Sequence, residues 1–327
     1  MTSHRLALER VRSAEPFIAP DHRVLTPICA LPPPFGLLDR QRLGGMAWLG
    51  NGDRCATMLH FLRQRCIAVW NRSKVFRTCA VVGSGAGLRG VGLGSAIDAH
   101  EMVIRFNGAP LLPHDTGGRT TLRISTHSPW RHWRRERDVS RSGPLALYCH
   151  NPWLGSCWAD ALGSNNATAS SRQEPSQSAG GRSSTTRVTV INPELVAETA
   201  ALLGAREAKS RSRALPPTSG MLGIAVALSA CNAATPVDVY GFGEPLANDE
   251  ATSRQCDHYW ECRTEQASYF GRAGSSSAGD GRRAFVAHDW AAQARALDWL
   301  EAVGAIRTHA RRSGFSLPKG RLKISTL

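Results

Sequence analysis

Lysine is scarce in this sequence: of its 40 basic residues only Lys74, Lys209, Lys319 and Lys323 are lysines, and the rest are arginines. Long apolar runs are missing as well. No stretch reaches the roughly 18 consecutive apolar residues of a transmembrane span, and Met1 to Arg12 is charged where a signal peptide would be apolar. The expectation is either a cytosolic protein or a sequence that starts downstream of its natural beginning. No two cysteines are spaced CxxC, which disfavours a zinc ribbon or a thioredoxin-type redox motif. Nor does the sequence itself present a convincing acidic pair for a metal.

What remains is globular. The 327 residues are 42% hydrophobic and 20% charged, enough apolar matter for a packed core and too little charge for a disordered chain or a coiled coil. The formal net charge of +14 raises nucleic acid as a partner, as does the interleaved Trp130-Arg131-His132-Trp133-Arg134-Arg135-Glu136-Arg137. One cluster without a recognisable module reads better as a solvated face, and nucleic acid is disfavoured. Nine cysteines and two glycosylation sequons, Asn71-Arg72-Ser73 and Asn166-Ala167-Thr168, favour an oxidising compartment with disulfides and one odd thiol.

Along the chain, residues 1–74 read as an arm and a helical lead-in, 75–310 as one catalytic domain, and 311–327 as a basic tail. Residues 163–187 are polar and low in complexity, a surface insertion that cannot bury enough area to order itself. Gly271 to Arg283, rich in Gly and Ser, is a candidate lid. Cys79 to Gly83 is a short buried strand running into the turn Ser84-Gly85-Ala86-Gly87-Leu88-Arg89-Gly90, and Met102 to Phe106 is a second strand after a crossover. Val188 to Ile191 is a further strand, as is Val237 to Gly243, which ends in glycines, and strand–turn–strand order of this kind predicts a parallel α/β sheet. Helices are predicted from Glu194 to Leu203, from a cap at Thr218 or Ser219 to Cys231, and after Asp289 with Trp290, Ala294, Leu297 and Leu300 as its buried stripe.

Gly85-x-Gly87-x-x-Gly90 is a literal GxGxxG after a strand, which alone suggests a dinucleotide-binding oxidoreductase using NAD(P). The second strand, however, ends in Arg105-Phe106-Asn107 and not in an acidic residue, and Asp98 comes too early. A longer pattern accommodates the same stretch. Cys79 to Gly90, Ile97 to His100, Val103 to Pro110 and Asp115 to Thr121 together resemble the large sialylmotif of the eukaryotic sialyltransferases, glycosyltransferase family 29. Pro217 to Cys231 with Val237 to Gly243 is similar to the small motif, His258-Tyr259-Trp260-Glu261 to the third, and His288-Asp289 with the helix after it to the very small motif.

The resemblance implies a Rossmann-like, mostly parallel α/β sheet flanked by helices, a GT-A-like variant. It implies an inverting transfer of sialic acid or a related acidic sugar from a CMP-activated donor to a glycan hydroxyl, with no cofactor. Ser84, Gly85, Gly87, Asn107, Thr218, Ser219 and Gly220 would then bind the CMP-sugar, His288 would be the general base, and His258 would stabilise the departing phosphate. Independently of the resemblance, turns and helix starts supply backbone N–H groups to anions, and a His at a helix N-terminus tends to stay neutral, as a base must.

The resemblance also implies a Cys79–Cys231 disulfide, and Cys256 with Cys262 is a candidate second pair. It implies a Golgi luminal or membrane location with an anchor, for which no segment of this sequence is apolar enough. Three positions depart from the family pattern: Ser84 and Gly87 stand where Asn is common, and Gln293 stands where Glu usually follows the motif His by five residues. A catalytically impaired member that binds nucleotide or glycan is the main alternative.

Overall fold

The computed structural model describes residues 3–17, 75–127, 144–149, 157, 188–204, 217–242, 254–259, 261–264 and 290–309. Its centre is a seven-stranded sheet made of β1 (Cys79–Val82), β2 (Met102–Phe106), β3 (Leu122–Thr126), β4 (Leu145–Tyr148), β5 (Val188–Val190), β6 (Val237–Tyr240) and β9 (Ile306–His309). The spatial order is β5-β4-β3-β2-β1-β6-β9, and every neighbouring pair is parallel. A parallel sheet is covered on both faces, which is why β1 and β6 are buried at every position and β2 reads as a nearly unbroken apolar run. Successive strands step outward from β1 to β5, and the chain then returns to lay β6 on the other side of β1. The strand order therefore reverses between β1 and β6, the place where an open α/β sheet forms its ligand crevice.

Four of the helices are α1 (Ser3–Ser13), α2 (Gly94–Asp98), α3 (Pro193–Leu202) and α4 (Ser219–Ala230). The fifth, α5 (Trp290–Ala302), leads into β9. α4 is apolar all round and buried at Met221 to Leu228, as befits a helix lying across the centre of a sheet. It sits in a core cluster with Val81, Ile104, Phe106, Ile124, Val239 and Leu300. α1 lies inside the segment read as an arm, yet Ala7, Leu8 and Val11 join this same cluster. The chain after it is stitched on by Asn192, whose N–H donates to Pro16 O at 3.0 Å and whose Nδ2 donates to Glu15 O at 2.9 Å. The same Asn192 caps α3 by accepting from Glu194 N–H at 3.0 Å, with Pro193 at the first helical position.

The opposite face carries a smaller cluster of Ala80, Val82, Leu88, Ile97, Val103, Ala109, Tyr240 and Tyr259. A separate antiparallel hairpin, β7 (Arg254–His258) with β8 (Glu261–Thr264), has Cys256 and Cys262 at paired register positions. The Cys79–Cys231 bridge is formed, joining the first residue of β1 to the C-cap of α4. A second bridge, Cys149–Cys157, closes a short loop after β4 that cysteine spacing alone does not single out.

One expectation needs correction. The buried positions of α5 are Ala292, Gln293, Ala296 and Leu300, with Leu297 half-buried and Ala294 exposed. A buried glutamine turns the stripe, because its amide has a hydrogen-bond partner on another helix, described below.

The 152-residue separation of Cys79 and Cys231 makes their bridge a strong constraint on the unfolded chain. Replacing both by alanine is expected to lower stability by about 4 to 5 kcal/mol in the chain-entropy model, measured by urea unfolding under oxidising conditions.

Candidate active site

The exits of β1 and β6 are packed backbone to backbone. Gly83 N–H donates to Tyr240 O at 2.7 Å and Gly85 N–H to Gly241 O at 3.1 Å, so the two turns continue the sheet ladder past its last assigned residues. A Cβ on either Gly83 or Gly85 would stand 2.6 Å from Gly241 O, and Gly241 itself, at φ +68°, would drive a Cβ to 2.6 Å from Leu88. Three glycines are thus required by contact and not by flexibility. The Phe242 ring is wedged into the result: a Cβ on Gly83 would lie 2.9 Å from one of its edges and a Cβ on Gly220 2.8 Å from another. Phe106, at the end of β2, meets Phe242 edge to face with centroids 6.3 Å apart and fits against α4 only because Gly223 has no side chain there. These two aromatic rings floor the crevice, and neither had been picked out as functional from the sequence.

The glycine turn does not form a dinucleotide cradle. The turn itself holds only a 3-10 turn, Ala86–Leu88, and the helix after it, α2, has five residues and starts at Gly94, so no long helix points its N-terminus at the turn. Gly90 N–H and Gly92 N–H both donate to the Asp115 carboxylate, at 2.8 and 3.1 Å, and hold it below the usual carboxylate range together with His114. The amides of Leu88 and Arg89 turn inward to Gly85 O and Ala86 O. Among the described residues the N–H groups of Ser84, Ala86 and Gly87 make no hydrogen bond, so the turn has donors to offer, though fewer than its sequence suggests. Asp98 likewise serves the scaffold, accepting from Gly118 N–H at 2.8 Å and Arg119 N–H at 2.9 Å.

The start of α4 stands beside this turn. Thr218 is its N-cap, with Oγ1 accepting from Met221 N–H at 3.2 Å and donating to Gln293 Oε1 at 2.5 Å. Gln293 is 5% exposed, so the amide standing where the family pattern has a carboxylate is spent on tying α5 to α4. Ser219 N–H and Gly220 N–H have no partner among the described residues and lie in the first turn, where the helix dipole favours an anion.

Asn107 completes the rim at the end of β2. It is the non-glycine residue with positive φ (+44°) among those described. Its Oδ1 accepts from Thr126 N–H at 3.1 Å and from Ser125 Oγ at 3.3 Å, which identifies the oxygen and leaves Nδ2 facing away from β3. Tyr259 anchors the hairpin to the same edge: its N–H donates to Ser84 O at 3.1 Å and its OH to Pro110 O at 2.6 Å. Burial pushes the phenol up, against the opposing pull of Arg105. His258, one residue earlier, ends β7, and its side chain lies outside the described residues, as does all of His288. Ser84, Gly85, Gly87, Asn107, Thr218, Ser219 and Gly220 are therefore brought to one edge of the sheet, with the backbone of His258 beside them.

A second polar cluster lies away from the crevice, on the face of β6 and β9. Asp238 is 3% exposed and receives Arg307 through Nε at 2.6 Å and Nη2 at 2.9 Å, His309 Nε2 at 2.5 Å and His100 Nε2 at 3.0 Å. Burial alone would push this carboxyl up, and the three donors outweigh it and hold it far below the usual range. His100 Nδ1–H is shared between Ala96 O and Ile97 O, at 3.0 and 3.2 Å. Carbonyl and carboxylate oxygens only accept, so both ring nitrogens carry protons. His100 is an imidazolium at the C-terminus of α2, its pKa raised first by the hydrogen bond to Asp238.

An α/β fold whose strand order reverses beside a glycine turn, a capped helix start and an outward-facing amide is that of a nucleotide-type ligand site at a topological switch point. Comparison with known proteins narrows the class. The family model for glycosyltransferase family 29 (sialyltransferase) matches residues 50–275, and the chain belongs to that family. The human CMP-N-acetylneuraminate-beta-galactosamide-alpha-2,3-sialyltransferase 4 is 28% identical over 190 residues, 57% of this chain and 54% of that protein. The rat CMP-N-acetylneuraminate-beta-1,4-galactoside alpha-2,3-sialyltransferase is 29% identical over 201 residues, 57% of this chain and 48% of that protein. A shorter match, 49% identity over 51 residues, is to the beta-galactoside alpha-2,6-sialyltransferase 2 of Xenopus tropicalis, covering 15% of this chain and 10% of that protein. The chain spans about half the length of the first two relatives. The solved structure of a mammalian sialyltransferase in complex with Gal-beta-1-3GalNAc-ortho-nitrophenol shares the fold, with a TM-score of 0.54, 19% identity and 92% of each chain covered. Family membership sets aside the NAD(P) oxidoreductase reading, as does the lack of a long helix behind the glycine turn.

Two outcomes are expected. Gly83→Ala forces a Cβ onto the Gly241 carbonyl and should cost about 1 to 3 kcal/mol in a denaturant melt. Thermal stability should peak between about pH 4 and pH 6.5. The His100 contribution is complete below its unfolded value of 6.5 and is lost as pH rises through its higher folded value. The Asp238 contribution holds above its unfolded value of 3.8 and is lost as pH falls through its lower folded value. His100→Gln should flatten the alkaline limb of a melting-temperature profile.

Proposed function

We propose that this protein is an inverting glycosyltransferase that moves sialic acid or a related acidic sugar from its CMP-activated form to a glycan hydroxyl, with no metal or other cofactor. The observation that carries the reading is the edge formed by Asn107, the turn Ser84 to Gly87 and the start of α4 at Ser219 and Gly220, whose amides have no partner among the described residues, together with membership of the family. Each is a neutral donor or a positive dipole end, which suits a ligand whose phosphate and sugar carboxylate are both anionic. Gly85 acts by its lack of a side chain, and Thr218 by fixing the helix start.

In the proposed reaction His288 takes the proton from the acceptor hydroxyl as its oxygen attacks the anomeric carbon. The bond from that carbon to the phosphate oxygen breaks, CMP leaves with the bonding pair, and configuration inverts. His258 donates to the phosphate as its charge grows. The disulfides and sequons suit the lumen of the secretory pathway, and we place the protein in the Golgi on the same family reasoning. Among the described residues no helix is long and apolar enough to cross a membrane.

A second reading, a member that binds nucleotide or glycan without turnover, is favoured by Ser84, Gly87 and Gln293. The two readings separate experimentally. With CMP at 100 times its dissociation constant, the fold should gain about 2.7 kcal/mol of stability, seen as a rise in melting temperature absent with NAD or UMP. Turnover of CMP-sialic acid with a galactose-terminated acceptor should fall at least about 100-fold in His288→Ala. A CMP shift without turnover in the wild type selects the second reading, and no CMP shift removes both.

A further inference from the structure

β3 holds Asn107 at every backbone atom that can hydrogen-bond and at its side-chain oxygen. Asn107 N–H donates to Ile124 O at 2.9 Å, Thr126 N–H and the Ser125 hydroxyl donate to Oδ1, and Arg123 Nη1 donates to Asn107 O at 2.9 Å and to Ala109 O at 3.2 Å. Arg123 is 1% exposed. Burying a guanidinium is costly, and it is tolerated where its planar fork meets several carbonyl oxygens in a fixed geometry. Here one nitrogen, Nη1, meets both the carbonyl of the left-handed residue and the carbonyl two residues on. Its neighbour in register, Arg105, also 1% exposed, does the same for the next stretch, donating to Thr116 O at 2.6 Å and to Arg119 O at 3.0 Å.

A residue at φ +44° is held against its own preference, although asparagine tolerates that region better than most. The backbone could relax by rotation about the Asn107 N–Cα bond, and that rotation would carry the side chain and the carbonyl with it. Arg123 prevents this by gripping the carbonyl on the strained residue and the one two residues on. Once backbone and Oδ1 are fixed, the plane of the side-chain amide is fixed as well, and with it the direction of the two Nδ2 protons.

We propose that Arg123 is a positioning residue for ligand binding: by holding the Asn107 and Ala109 carbonyls it aims the Asn107 amide at the anionic group of the nucleotide. The proposal rests on the donor-site reading above. It assigns Arg123 a role exercised through Asn107 and not through contact with the ligand.

A double-mutant cycle on the full chain, read by binding of CMP and of cytidine, tests it. Asn107→Ala should weaken CMP about tenfold by removing a hydrogen bond to a charged group, and cytidine less than about twofold. Arg123→Lys keeps the charge but puts it on a flexible stem that does not hold the two carbonyls in one fixed geometry. It should weaken CMP by a similar factor while sparing cytidine. In Asn107→Ala, Arg123→Lys the CMP loss should match that of either single variant. If Arg123→Lys gives no folded protein, Arg123→Gln, a neutral planar donor, takes its place with the same expectation.

A multiplicative loss in the double variant, or equal losses for CMP and cytidine in Arg123→Lys, overturns the proposal and leaves the donor-site reading standing. Wild-type protein that binds cytidine and CMP equally, or neither, overturns both.

Discussion

Everything at the crevice hangs on how closely the exits of β1 and β6 approach each other. Two amide donors and three absent side chains bring the backbones of Gly83, Gly85 and Gly241 into van der Waals contact. That approach seats Phe242 between the β1 turn and Gly220, and so sets the distance of α4 from the sheet. It also leaves Ser84 O free to take Tyr259 N–H, which brings the hairpin carrying His258 to the same edge. A methyl group at any of these glycines would act on four elements at once, because the interior is close-packed and has no slack in which to absorb it.

The arginine excess has a partly structural explanation. Arg105, Arg119 and Arg123 all spend their guanidiniums on main-chain carbonyls: Arg119 on His100 O and Glu101 O, Arg105 on Thr116 O and Arg119 O, Arg123 on Asn107 O and Ala109 O. The loops from 98 to 119 have little regular structure to satisfy their carbonyls, and a five-donor fork closes several of them from one side chain. A lysine ammonium has three donors, but on a flexible stem that does not set them in a fixed fork. Toward the β9 edge of the sheet the logic is inverted: one buried carboxylate, Asp238, collects donors from the α2–β2 connection and from β9 and fastens the edge strand.

The strands buried on both faces were legible in the sequence, since β1, β2 and β6 stand out as short apolar runs broken by at most one charged residue. β3 and β4 did not, because LRIST carries an arginine and a serine that are buried only through partners elsewhere, and LALY is short enough to belong to any element. Thr218 was readable as a cap. The glycine turn was misread in part: nothing local tells that Asp115, 25 residues on, takes the Gly90 amide. Gln293 looked like a lost charge, and only the structure shows its amide placed against the Thr218 hydroxyl. Phe106 and Phe242 are ordinary apolar residues in sequence, and their importance is purely one of shape. The roles expected of His258 and His288 came from the resemblance, and no side-chain geometry bears on them.

The Cys79–Cys231 bridge bears on the order in which the protein can be made. Its partners flank β2, β3, β4, β5 and α3, so during synthesis the Cys79 thiol emerges and waits while all of these are extruded. Cys149 and Cys157 come out during that interval, only 8 residues apart, and a local pair closes faster than a distant one. The waiting thiol is therefore exposed to five other cysteines, at positions 29, 55, 66, 149 and 157, before its own partner exists. A chain of this layout depends on thiol–disulfide exchange to correct early mispairing, and its yield should follow the supply of isomerase more closely than the supply of oxidant.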